Sequence, residues 1–341
     1  AGGGWCTDEG AAPGFLADYH STSVGSGYHQ TTMLDFPEWR ELGGELSNVK
    51  VGVGAIFKED DSSIVLYSNK ADPKGELTAK SISRFSQRDA ETWVKIYRLY
   101  VDIWLPYFAE YTLNPAPTER PDAMDRLIAD PKAKIDPSWL FKSPLETFRD
   151  IFENDAFIAL LLRFQQSGLN AAPSAGGMGL HNLFTALHTS VREVVGGTHN
   201  FAHAAVKIIL ANGGKIFTNS EVDRVIIENE TAKGIILSDS SRVEAKKLVV
   251  STLDPYSLCF RLIGKEHLSR QLLRRVEHLE RRDTCITWYT WALHEAPHYS
   301  SSRDNLEIDG TYDLNIISKD PEALDRLKAM RMLGMMPREK D

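Results

Sequence analysis

Glycine clusters come first among residues that could do chemistry. Where a chain must bring backbone amides against a phosphate or a flat cofactor, any side chain would clash. Gly2-Gly3-Gly4 opens the chain, Gly52-Val53-Gly54 and Gly176-Gly177-Met178-Gly179 follow, and Gly196-Gly197 and Gly213-Gly214 bracket an apolar run. Binding a dinucleotide pyrophosphate needs a strand, a GxGxxG turn and a helix whose N-terminus receives the charge. Gly52-Val53-Gly54 lacks the third glycine and the helix, and no strand precedes Gly176. Both are therefore read as decoys.

Histidine is the next candidate, at His20, His29, His181, His188, His199 and His203. His199 and His203 are four apart and share a helical face. A pair without a third ligand is packing or surface chemistry, so no metal is expected. Cys6, Cys259 and Cys285 form no CxxC or Cys/His spacing. They read as reduced thiols of a cytoplasmic-type protein. No GxSxG nucleophile elbow is present, and Asp8-Glu9 and Glu59-Asp60-Asp61 suit solvated turns rather than acid–base pairs. Trp288, Tyr289 and Trp291 fall in a β-rich run and read as packed core before substrate cleft.

These residues need elements to hold them. Residues 1–32 have loop composition, with a short strand near Leu16 to Tyr19. A helix is expected over 36–46, then a hairpin of Val49–Phe57 and Ser63–Tyr67. Trp93, Ile96, Tyr97, Tyr100, Val101, Trp104 and Leu105 repeat at helical spacing, and that helix should stop near Pro106. Further helices are expected at 121–129, 144–154, 155–166, 181–195 and 201–212, with a glycine-rich link at 168–180. Short strands should follow at 215–218, 221–228, 232–237, 242–244 and 247–251. Helices at 256–262 and 267–279, a strand at 284–293 and a helix over 320–332 complete the pattern.

The 341 residues suffice for two domains, and 42% hydrophobic content supplies a core. With 39 basic and 47 acidic residues the net charge is −8, which disfavours nucleic acid. The basic stretch Arg270 to Arg282 alternates with Leu and Glu, as the wet face of a helix does. No apolar run is long enough to span a membrane. The start carries neither signal-peptide pattern nor initiating Met, so a preceding segment is expected.

Order and spacing now point to a family. The run from Gly196-Gly197 through a helix to Gly213-Gly214, then Glu221-Val222-Asp223-Arg224-Val225-Ile226, ends at Val249-Val250-Ser251-Thr252-Leu253-Asp254-Pro255. It resembles the FAD-binding phytoene-desaturase and amine-oxidase superfamily. Gly3, Gly4 and Thr7, followed by Pro13-Gly14-Phe15, are similar to the family segment that follows its ribose-binding acid. Phe36–Leu42 and Ile286–Tyr299 are weaker matches.

The resemblance implies FAD as cofactor, with Gly3, Gly4 and Thr7 facing it and Val222 contacting the adenine. It implies an α/β (α+β overall) fold: an incomplete FAD/NAD(P)-binding Rossmann-like domain, residues 1–32 and 190–262. A mixed-sheet and helical substrate domain, 33–189 and 263–341, is inserted in it. The activity implied is hydride removal from an apolar small molecule, such as a polyene. A flavin-dependent isomerase and a non-catalytic binding module are the alternatives. An apolar substrate would favour peripheral membrane contact, though no amphipathic basic anchor is visible. Catalytic residues and oligomeric state stay open. The GxGxxG unit and the family's C-terminal flavin segment are both missing, so the chain reads as a fragment and is expected to bind FAD poorly by itself.

Overall fold

The computed structural model describes residues 3–24, 32–114, 118–169, 174, 176–189, 192–279, 289–336 and 338, with backbone alone for 165–169 and 331–332. The chain forms two compact units, one of residues 209–285 and one of 2–208 with 286–341.

In the larger unit, β1 (Thr7–Ala12) and β2 (Phe15–Asp18) make an antiparallel hairpin. Next come β3 (Leu46–Asn48), β4 (Val51–Phe57) and β5 (Ser63–Tyr67). Helices α1 (Glu76–Ile82), α2 (Gln87–Leu99), α3 (Leu105–Leu113), α4 (Ala123–Ala129), α5 (Pro144–Ile151), α6 (Asp155–Leu169) and α7 (Gly179–Leu187) follow. Then come β6 (Arg192–Val194) and α8 (His199–Ala211), whose last turn enters the smaller unit. That unit holds β7 (Val222–Glu228), β8 (Thr231–Leu237), β9 (Arg242–Glu244) and α9 (Arg270–Glu277). The chain returns to the larger unit for β10 (Thr311–Ile317) and α10 (Ala323–Met332).

The architecture is mixed α/β, built on small sheets. The β4–β5 hairpin forms as its sequence predicts, with Ile56 opposite Ser63. β10 joins it in parallel on the other side of β4, from Thr311 opposite Val51 to Ile317 opposite Phe57. A central strand covered on both faces must be apolar throughout, and all seven residues of β4 are buried. Gly54 owes its type to this packing: a Cβ there would lie 2.9 Å from Thr311 Cγ2. The decoy glycine is a place where one strand approaches another.

The main core joins that sheet to the helices through Phe57, Trp93, Trp104, Phe148, Phe157 and Phe184. Local signals place these helices. Ser86 Oγ accepts from Asp89 N to cap α2, and capping boxes Asp122–Asp125 and Ser143–Glu146 start α4 and α5. The buried Asp89 carboxylate accepts from the amides of Glu153 and Asn154 just before α6.

Several expectations are corrected. The short strand expected near Leu16 to Tyr19 is β2, but β1 lies in a stretch expected to be loop, and the helix over 36–46 shrinks to a turn, Pro37–Trp39. The helix ending near Pro106 instead runs on. A π-helical turn over Tyr100–Trp104 leads into α3, where Pro106 sits in the first turn and the wider π turn before it accommodates the ring. The helix expected over 181–195 stops at Leu187, and Arg192–Val194 pairs with β3 instead. Residues 215–218 and 247–251 are not strands, and Leu248 and Val250 are exposed. A β-rich composition becomes a strand only where a ladder partner exists. Of the run 284–293, residues 284–288, with Cys285 and Trp288, lie outside the described residues. Residues 289–293 form no strand, and Tyr289 and Trp291 are exposed rather than core. His29 also lies outside the described residues. Among them, no helix is long and apolar enough to cross a membrane.

Candidate functional site

The residues that gather are those of the N-terminal glycine turn and the Gly196-Gly197 turn. The β1–β2 register sets Thr7 opposite Asp18. The hairpin ladder continues outward, with Tyr19 N donating to Cys6 O at 3.0 Å and Ser21 N to Gly4 O at 3.1 Å. Gly196 and Gly197 then turn the chain with φ of 76° and 103° into α8. Only glycine takes such angles without strain.

One carboxylate ties the two turns together. Asp18 Oδ1 accepts from Thr7 Oγ1, from Thr198 N at 3.0 Å and from Thr198 Oγ1 at 2.9 Å. Thr7 Oγ1 in turn accepts from His199 N at 3.1 Å. The amides that open a helix lack intrahelical partners and carry its positive dipole end. Here a carboxylate and a hydroxyl from a distant hairpin satisfy them. Thr198, directly before α8, is fully buried in this cap. Asp18→Ala is expected to cost about 1–3 kcal/mol, read as a lower denaturation midpoint. Asp18→Asn, which keeps an acceptor oxygen, should lose less; equal losses would contradict this role.

Beneath the cap lies a second, smaller core. Phe201 is fully buried, with its ring 5.0 Å from that of Trp5 and 4.8 Å from that of Trp39. Val24, Leu46, Val194, Ala204 and Ile208 complete it. Tyr312 of β10 donates its hydroxyl to Thr22 Oγ1. Burial pushes the Tyr312 phenol up, and the charges of Glu193 and Asp18 push the same way. It therefore remains a protonated donor beside the hairpin.

Three of the four expected cofactor residues stand here. Gly3, with φ of 56°, is exposed and has no heavy atom near a would-be Cβ. Gly4 lies against the His20 ring, where a Cβ would be 2.9 Å from Nδ1. Thr7 is inside the cap. Val222 belongs to the other unit, at the start of β7 and opposite Leu237. β7 is an edge strand of its sheet, so one side of its main chain has no strand partner among the described residues. Sequence reasoning missed Asp18 and Thr198. Threonine immediately before a helical run is an N-cap signal that could have found the second; nothing local marks the first.

His199 and His203 do share a face, with rings 5.1 Å apart and edge to face. His199 Nδ1 is buried without a hydrogen-bond partner among the described residues. No group of three metal-ligating side chains stands together among them.

No family model matches the chain. It is 26% identical over 287 residues to a limonene dehydrogenase subunit from Castellaniella defragrans, covering 79% of this chain and 48% of that protein. It is 34% identical over 61 residues to a Methylomonas 4,4'-diapophytoene desaturase, covering 18% of this chain and 12% of the relative. In sequence the chain is thus similar to a dehydrogenase subunit and to a desaturase. It spans about half the length of the Castellaniella protein. Among solved structures, cyclohexylamine oxidase of Brevibacterium oxydans matches over 80% of this chain and 54% of its own, at 15% identity and a TM-score of 0.41.

The two turns differ in how they suit FAD, the cofactor that the resemblance implies. The open backbone at Gly3 suits close approach by a flat ring. The diphosphate does not fit at α8, because Asp18 and Thr7 already occupy the helix N-terminus and Asp18 would repel the anion. The site is a scaffold: Gly3 leaves room, the His20 ring lies against Gly4, and the Thr7–Asp18 cap holds the turn.

Proposed function

We propose that this chain is part of an FAD-dependent dehydrogenase or desaturase that takes hydride from an unactivated bond of an apolar small molecule. The similarity to the limonene dehydrogenase of Castellaniella over 79% of the chain carries the reading. Limonene and diapophytoene, in the names of the two relatives, are both hydrocarbons. The flavin, when bound, supplies the hydride acceptor, and the protein supplies position and a dry environment.

In this reading Gly3 and Gly4 face the cofactor, Gly3 with bare backbone and Gly4 beside the His20 ring. Thr7 keeps them in place by bonding Asp18 and the α8 amide at once. The edge of β7 at Val222 offers main-chain groups to the adenine. Residues 1–32 and 190–262 form the cofactor domain, an incomplete Rossmann-like fold, and 33–189 with 263–341 form the substrate domain. An apolar substrate favours encounter at a membrane surface.

The Asp18 carboxylate seated on the α8 N-terminus closes that helix end to an anion, which favours one competing reading, a non-catalytic binding module. The visible absorption spectrum of the protein purified from its full reading frame separates the two. Flavin bands that bleach on anaerobic addition of an apolar substrate are expected. A protein that stays colourless after FAD is added would refute the oxidoreductase reading and leave the module.

A further inference from the structure

The parallel pair β4 and β10 ends beside a cavity of about 280 Å³ within the larger unit. In sheets with parallel strands, ligands collect outside the carboxyl ends, where the chain leaves for the next element. Lys58 leaves β4 at that end, Arg163 comes from α6, and Arg338 comes from the C-terminal stretch. Leu324 and Leu327 of α10 give the wall its apolar part. Among the described residues Asp320 is the carboxylate in the lining, and Arg326 holds it at 2.7 Å. Arg163 also interacts with the carboxyl of Asp313 on β10. In a chain of net charge −8, Lys58, Arg163 and Arg338 bring three cations to the lining of one small cavity, beside the carboxylates Asp320 and Asp313.

We propose that this cavity binds a small amphiphilic carboxylate, its anionic head among Lys58, Arg163 and Arg338 and its short apolar body against Leu324 and Leu327. A cavity near the lower end of the ~300–1,000 Å³ range for organic ligands takes a short chain and excludes a long one. Guanidinium groups pair with carboxylates through two parallel bonds, which gives the head its selectivity. The inference is independent of flavin binding, because these residues belong neither to the glycine turns nor to the α8 cap.

Calorimetric titration of the full chain tests it with three probes: hexanoate, hexan-1-ol and inorganic phosphate. Hexanoate should bind saturably at one site per chain, and the alcohol and phosphate at least tenfold more weakly. Lys58→Gln/Arg338→Gln changes two exposed residues and should weaken hexanoate at least tenfold with an unchanged melting temperature. Leu327→Trp fills the cavity and should abolish binding, which decides the matter if the double variant melts early. Absence of hexanoate binding overturns the proposal. So does unchanged binding in the double variant or in Leu327→Trp. Phosphate or hexan-1-ol binding as tightly as hexanoate overturns the amphiphilic assignment.

Discussion

Gly197→Ala should be among the most damaging single-methyl changes in the larger unit. At φ of 103° an L residue is strained, and the new Cβ would lie 2.4 Å from Thr7 Cγ2 and 2.5 Å from Thr7 Oγ1. Backbone strain and overpacking together amount to about 2–5 kcal/mol. Relief requires Thr7 to move, and Thr7 cannot move without breaking its bonds to Asp18 and His199 N. The variant should therefore melt well below the parent, with faster amide exchange at Thr198 and His199. Gly213→Ala is the control. It has φ of 78° but no atom near the added carbon, so it suffers the strain alone. If both variants lose the same stability, the contact with Thr7 is not what requires glycine at 197.

Phe201→Ala attacks the same region from below. The ring is fully buried and touches both Trp5 and Trp39. Removing such a ring costs about 3–5 kcal/mol, because transfer energy is lost and a cavity remains. The two tryptophans report the damage directly: their emission should shift to the red as Trp5 and Trp39 gain water. Trp5 stands between Gly4 and Thr7 in sequence, so the glycine turn should loosen with it. Phe141→Ala, at an 80% exposed position, should change stability by less than about 0.5 kcal/mol. A Phe201→Ala protein with native emission and melting would show that the hairpin does not depend on this core.

The sequence by itself determined whatever rests on neighbours along the chain. Helical spacing of Trp93, Tyr97, Tyr100 and Trp104 found a buried face, and all four are indeed core. Alternation and an acidic turn found β4 and β5, and the Gly213-Gly214 stop marked the end of α8 near Ala211. Order and spacing of motifs pointed to desaturase-like oxidoreductases, and the relatives of similar sequence are a dehydrogenase subunit and a desaturase. Local signals have this reach because periodicity, caps and turns are set within a few residues.

Tertiary structure decided what depends on distant partners. Thr311–Ile317 is a strand because β4 is there to pair with, whereas 247–251, with two adjacent valines, is not a strand. Pro106 is tolerated because a π turn precedes it. Asp18 became the centre of the candidate site only when folding brought it to Thr198, and no pattern around Asp18 foretells that meeting. A hydrogen bond across such a separation repays its loop-closure entropy only as one of many contacts formed together. The role of Gly197 follows from the same fact. The sequence shows a glycine in a turn, and the fold shows which threonine stands where its side chain would be.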